Sequence, residues 1–154
     1  MPVEGVFMSY KISLPTLTLL LLTPVSHALA ADKPGAFGKS PMTGAQVYQA
    51  VCATCHAHGL AGAPRAGNRQ AWAPLVAEGY DDLVGSAITG VRMMPPKGGA
   101  PELYDIEVAR AVVYRASLAG GKFPEPTDAN VRQARIDGEK RHIERLKKAA
   151  LSRQ

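Results

Sequence analysis

Apolar positions in this chain form one dense run near its start and then short stripes at helical spacing. From Ile12 to Val25 the sequence is apolar, broken only by Ser, Thr and Pro, with Lys11 before it and Ala28-Leu29-Ala30 shortly after. A membrane-crossing helix needs roughly 20 apolar residues, and this run is shorter. A basic residue ahead of it and a small-x-small triplet behind it mark residues 1–30 as an export signal cleaved after Ala30. An uncleaved anchor is the alternative. Residues 31–42, with their Gly, Pro and Ser, read as a flexible leader.

The stripes that follow predict helices. Thr43 is placed to cap one that carries Val47, Tyr48, Val51 and Cys52, with Gly44 and Tyr48 on one face. From Gly59 to Gly67, with Gly62 and Pro64 inside, the chain reads as an irregular loop. Asn68 caps a second helix with Trp72, Leu75 and Val76, ending at Gly79. Pro is tolerated in a first turn, so Pro74 puts the start of this helix near Ala71. Asp81 or Asp82 caps a third helix, with Leu83 and Ala87 or Ile88 inward and Gly90 closing it. The segment Met94-Pro95-Pro96-Lys97-Gly98-Gly99 is excluded from helix, because two prolines extend it and two glycines turn it. A fourth helix starts at Asp105 and places Val108, Ala111, Val112 and Arg115 at i, i+3, i+4 and i+7, with Tyr114 beside them. Gly120-Gly121 stop it.

The pattern therefore predicts an all-α body over residues 43–122, four short helices joined by Gly/Pro-rich loops. Its aromatics are few, and so small a body buries too little apolar surface to be stable alone. A bound group has to complete the core. Residues 123–154 read as a basic, partly helical tail. Asp128 is its expected cap, Val131 and Ala134 share a face, and Gly138 interrupts it at a cost of about 1 kcal/mol relative to Ala. Ile143, Leu146 and Ala150 form a thin second stripe between Lys140, Arg141, Arg145, Lys147 and Lys148.

Charge changes the picture only when it is divided. Residues 31–127 carry nine Lys/Arg against eight Asp/Glu, whereas residues 128–154 carry eight against four, so most of the net +5 sits in the tail. A nucleic-acid-binding domain would spread its positive charge over a folded face, and none is expected here. The tail is either frayed and solvated or docks on an acidic redox partner or an anionic membrane surface.

The chemistry is concentrated at Cys52-Ala53-Thr54-Cys55-His56, which holds both cysteines of the chain. A disulfide here would close a very short loop and stabilise little. A redox-active Cys-x-x-Cys wants a strand–helix context that the flanks lack. A zinc site would need a second ligand pair, which only His58 and His142 remain to supply. Cys-x-x-Cys-His is instead what covalent haem attachment requires: two sulfurs one helical turn apart for the two vinyl groups, with the adjacent imidazole over the iron. One haem c, attached through Cys52 and Cys55 with His56 as iron ligand, is the expected cofactor. It supplies the missing core.

The run Tyr48-x-x-x-Cys52-x-x-Cys55-His56-x-x-Gly59-x-x-Gly62-Ala63-Pro64 closely resembles the cytochrome c₅ group of bacterial class I c-type cytochromes. Trp72-Ala73-Pro74, Met94-Pro95-Pro96-x-Gly98-Gly99 and Asp105-x-Glu107 ahead of Ala111-Val112-x-Tyr114 extend the likeness over roughly residues 43–120. The resemblance implies a small class I cytochrome c fold and a periplasmic carrier with a low-spin, His/Met-ligated haem. It also implies that Gly44 and Tyr48 of the first helix cross Ala111 and Tyr114 of the last, and that the Pro64 carbonyl accepts a hydrogen bond from His56. Members of this group often carry a further cysteine pair as a disulfide, and this chain has no cysteines beyond Cys52 and Cys55.

Met94 is expected as the sixth ligand in preference to Met93. The proline pair directly after it stiffens the loop, the neighbour points away if the segment is extended, and the resemblance puts the ligand next to the prolines. Pro64 is otherwise a simple turn residue. Trp72 is a core aromatic against the haem whose indole N–H is in reach of a propionate. Arg69 and Lys97 either offset propionate charge or are solvated, His58 is a surface residue, and His142 would ligate only if the tail folded back. An iron with both axial positions filled suits one-electron transfer and no catalysis. The competing class is a small haem enzyme or gas sensor with an open distal site, peroxidase-like in kind.

Overall fold

The computed structural model describes residues 41–153; the expected signal peptide at 1–30 and nearly all of the leader lie outside the described residues. Helix α1 (residues 44–56) runs through Gly44–Val47, a π-helical stretch Tyr48–Cys52 and Ala53–His56 without leaving right-handed geometry. It is followed by α2 (Arg69–Glu78), α3 (Tyr80–Thr89), α4 (Asp105–Leu118) and α5 (Asp128–Leu151). Short 3₁₀ turns lie at Leu60–Gly62 and Pro96–Gly99. The fold is all-α, and α1 to α4 are the four helices expected of the body. No helix among the described residues is long and apolar enough to cross a membrane.

Local chemistry sets the helix starts. Thr43 caps α1 through a reciprocal pair with Gln46, and Asn68 accepts from the Ala71 N–H at 3.1 Å to cap α2. Three expectations shift. Helix α2 begins at Arg69, two residues earlier than Pro74 suggested, so the proline lies inside it. Both Pro74 and Gln70, whose carbonyl loses its donor, are exposed, and water can replace the missing bond. Asp81 and Asp82 lie in the first turn of α3, and Gly79 is its N-cap. Thr127, paired with Asn130, caps α5 in place of Asp128.

Helices α1 and α4 cross where Gly44 has no side chain. A Cβ there would collide with the Arg110 carbonyl and press on Tyr114 Cβ. The crossing therefore lies over Arg110 and Tyr114, one residue from the expected Ala111. One turn on, the Tyr48 and Tyr114 rings meet at 5.7 Å. Glu107, fully buried, accepts from the backbone N–H of both Met42 and Tyr104 at 2.9 Å and so ties the entry to α1 onto the start of α4.

The tail differs from a frayed pair of segments. Residues 128–151 form one helix, and Gly138 does not interrupt it. Val131 and Ala134 join Val84, Ile88 and Val108 in one core, so the helix beyond residue 122 packs on the body. Gly138 lies against Gly85 of α3, where a Cβ would come within 2.6 Å of the Gly85 carbonyl oxygen. Two glycines let the backbones touch, which offsets the poor helix propensity of Gly138. We expect Gly138→Ala to lower stability by about 1–3 kcal/mol through forced separation of α3 and α5, although propensity alone would raise it by about 1 kcal/mol. The urea midpoint decides the sign, and a raised midpoint would contradict this packing.

Candidate haem site

The last turn of α1 presents Cys52, Cys55 and His56 to a cavity of about 870 Å³. That size falls within the roughly 300–1,000 Å³ of cofactor sites. Apolar side chains from other elements line it, among them Leu75, Leu83, Leu103, Val108 and Val112. Met94 reaches the same cavity from the loop after α3.

Both cysteines are free, which sets aside the disulfide reading. Burial pushes the Cys52 thiol up, against smaller opposing effects of Arg115 and the backbone. The neutral thiol is thereby favoured over the thiolate that disulfide exchange or zinc would use. Among the described residues, no three or more His, Cys, Asp or Glu cluster as a metal site.

His56 is oriented by one bond. Its Nδ1 lies 3.0 Å from the Pro64 carbonyl oxygen, so Nδ1 carries the proton and donates, while Nε2 keeps its lone pair. Burial lowers the His56 pKa; the Pro64 bond opposes this and Arg115 adds to it. A neutral imidazole is the form that ligates a metal. The Pro64 oxygen has a second donor, Arg115 Nη2 at 2.9 Å. Arg115 is 3% exposed, and its guanidinium stacks 4.3 Å over the Trp72 ring and 5.4 Å from that of Tyr48. Its Nε is buried without a hydrogen-bond partner.

Met93 and Met94 are separated by their turn. Val91 and Met94 exchange both backbone hydrogen bonds, N–H to O at 3.0 and 2.9 Å, which closes a two-residue turn with Arg92 at φ 52°. Met93 sits at its tip, 76% exposed, and Met94 is half-buried. At the foot of this loop Gly90 has φ 83°, and a Cβ there would meet the Met94 oxygen and Pro96 at about 3 Å. Arg145 of α5 donates to the Gly90 carbonyl at 3.0 Å.

The other residues named from sequence are placed as follows. Trp72 is 6% exposed and lines the cavity, but its indole N–H donates to the Arg65 carbonyl at 2.9 Å and is not free for a propionate. Lys97 neither meets a propionate nor is solvated: it donates to the Leu103 carbonyl at 2.6 Å and pairs with Asp105 at 3.0 Å. Burial pushes the Asp105 carboxyl up, yet its bonds from Arg135 and Lys97 prevail and hold it below the usual range. Arg69 and His58 are exposed, and His142 does not line the cavity.

Sequence reasoning missed Arg115, Arg141 and Arg145 as cavity residues. For Arg115 the signal was present: a cation at i+7 of an otherwise apolar stripe. The two on α5 carried none, since their place depends on the Gly85–Gly138 crossing.

A bound tetrapyrrole fits this set of groups. There are two neutral thiols one turn apart, an imidazole with its outer nitrogen free, a thioether on a second segment and an apolar wall. The buried, unpartnered Nε–H of Arg115 adds an unused donor.

Known proteins share the pattern. The family model described as cytochrome C oxidase, cbb3-type, subunit III matches residues 39–114. Cytochrome c-555 of Chlorobaculum tepidum is 45% identical over 83 residues, covering 51% of this chain and 77% of that protein. Cytochrome c5 of Azotobacter vinelandii is 32% identical over 83 residues, 53% of this chain and 100% of that protein. A chain solved in an electron transfer complex of nitrite reductase with cytochrome c is 39% identical. It covers 49% of this chain and 93% of its own length, with a TM-score of 0.48.

Proposed function

We propose that this chain, which belongs to the class I c-type cytochromes of the cytochrome c₅-like group, carries one haem and works as a one-electron carrier with His56 and Met94 as axial ligands. The observation that carries the reading is that Cys52, Cys55 and His56 of α1 and Met94 of a second segment all face one apolar cavity, with His56 Nδ1 already bonded to Pro64. Bound there, haem supplies a one-electron iron couple. Cys52 and Cys55 anchor it covalently, and Trp72, Leu75 and Leu103 keep water from it. Pro64 fixes the His56 ring and raises its basicity through the Nδ1–H bond. A Met94 thioether favours the reduced state and fills the remaining position.

Filled axial positions separate a carrier from a small haem enzyme or gas sensor. The reduced protein is expected not to bind carbon monoxide rapidly at neutral pH. Rapid, stoichiometric binding would support an open distal site and sink the carrier reading.

Export and partners belong to the same reading. Residues 1–30 act as a signal cleaved after Ala30, which places the carrier in the periplasm. Its redox partner is a protein with an acidic docking surface. The positive charge past residue 127, including exposed Lys140, Lys147 and Lys148 on α5, supports that choice. An anionic membrane surface is the alternative occupant. Charge attraction of this kind acts mainly on association rate.

A further inference from the structure

We propose that Arg115 raises the reduction potential of the haem iron, acting as a fixed cation behind the proximal ligand. This rests on the haem reading above and goes beyond it to a residue that ligates nothing.

The argument begins with an unusual burial. A guanidinium in a protein interior normally has a carboxylate for company, because an unpaired buried charge is costly. Arg115 takes part in none of the ion pairs among the described residues. It is stabilised by the π faces of Trp72 and Tyr48 and by the Pro64 carbonyl. Burial lowers its pKa to about 10, with Tyr48 and Cys52 opposing. At neutral pH it is still a cation, and in so apolar a wall its field is poorly screened.

Its position aims that field at the iron's surroundings. Arg115 lines the cavity and shares the acceptor of His56, the Pro64 oxygen, at 2.9 Å against 3.0 Å for the imidazole. Two effects follow, and they have the same sign. A positive charge beside the site disfavours ferric iron, which carries one more unit of charge than ferrous. A carbonyl already bonded to a cation is a weaker acceptor for His56 Nδ1–H, so the imidazole donates less to the metal. Both stabilise the reduced form. Charge near the cofactor and hydrogen bonding behind its ligand are the levers by which a protein sets a haem potential.

The test is a set of three variants read by equilibrium redox titration. Arg115→Met and Arg115→Gln remove the charge, the second keeping a donor for Pro64; Arg115→Lys keeps the charge. We expect the ratio of reduced to oxidised protein at fixed ambient potential to fall about tenfold in the Met and Gln variants. That is about 59 mV for a one-electron couple. The Lys variant should keep most of the parental value. If one neutral variant fails to hold haem, the other carries the comparison. Neutral variants within twofold of the parent, or a Lys variant that falls as far as they do, would overturn the proposal. The haemochrome spectrum and the far-red sulfur–iron band are recorded alongside. A parent protein lacking them contradicts the haem reading itself, whereas intact spectra with an unmoved potential sink only the role of Arg115.

Discussion

Replacing Met94 with Ala is expected to abolish the far-red sulfur–iron band of the oxidised protein, and replacing Met93 with Ala to leave it intact. The two side chains are neighbours in sequence and differ in everything else. Met93 stands at the tip of a turn closed by two Val91–Met94 hydrogen bonds and is 76% exposed. Met94 turns into the cavity, and Pro95-Pro96 directly after it restrict the backbone at its base. Losing the thioether removes a ligand that favours ferrous iron, so the potential of the Met94 variant should fall. It also opens the distal position, so the same variant should gain rapid carbon monoxide binding. Loss of the band in the Met93 variant, with its survival in the Met94 variant, would overturn the assignment.

The second large effect is expected from truncation after Pro126, which removes α5. Read as a solvated tail, residues 127–154 would be dispensable. The packing says otherwise. Truncation uncovers Val84 and Ile88 and deletes Val131 and Ala134 from the same core. A fully buried Val or Ile contributes roughly 1.5–3 kcal/mol, so several kcal/mol should be lost, a large share of a small domain's total stability. The Arg145 bond to Gly90, at the foot of the Met94 loop, goes with it, as does the Arg141–Asp82 pair at 2.8 Å. The denaturant midpoint should drop sharply, and the far-red band should be lost under milder conditions than in the full chain. An unchanged midpoint would mean that α5 contributes nothing. Truncation after Arg145 is the contrasting case. It spares the packed turns and removes Lys147, Lys148 and Arg153, so it should slow reaction with an acidic partner at low ionic strength while leaving spectrum and midpoint near those of the full chain. The difference should vanish as salt shortens the Debye length.

Much of this architecture was legible in the chain because local rules decide it. Thr43 and Asn68 cap the helices they were expected to cap, and the Val108-Ala111-Val112 stripe of α4 faces the core. Cys-x-x-Cys-His and the Met94-Pro95-Pro96 loop both reach the one cavity. What was not legible depends on partners remote in sequence. Gly138 reads as a helix breaker until Gly85 is found against it. Trp72 reads as a propionate donor until the Arg65 carbonyl takes its N–H. Lys97 reads as free until Asp105 and the Leu103 carbonyl engage it. Arg115 is the intermediate case: its place on the apolar stripe was visible, but its stacking on Trp72 and its claim on the Pro64 oxygen came only with the fold.

The central claim, a haem held covalently by Cys52 and Cys55, is tested most directly by haem staining after acid denaturation and denaturing electrophoresis. Thioether bonds survive unfolding and axial ligation does not. The account predicts that the stain migrates with the polypeptide, and that changing both Cys52 and Cys55 to Ser removes it from the chain. An unstained polypeptide from fully coloured protein, with the porphyrin running free, would contradict it.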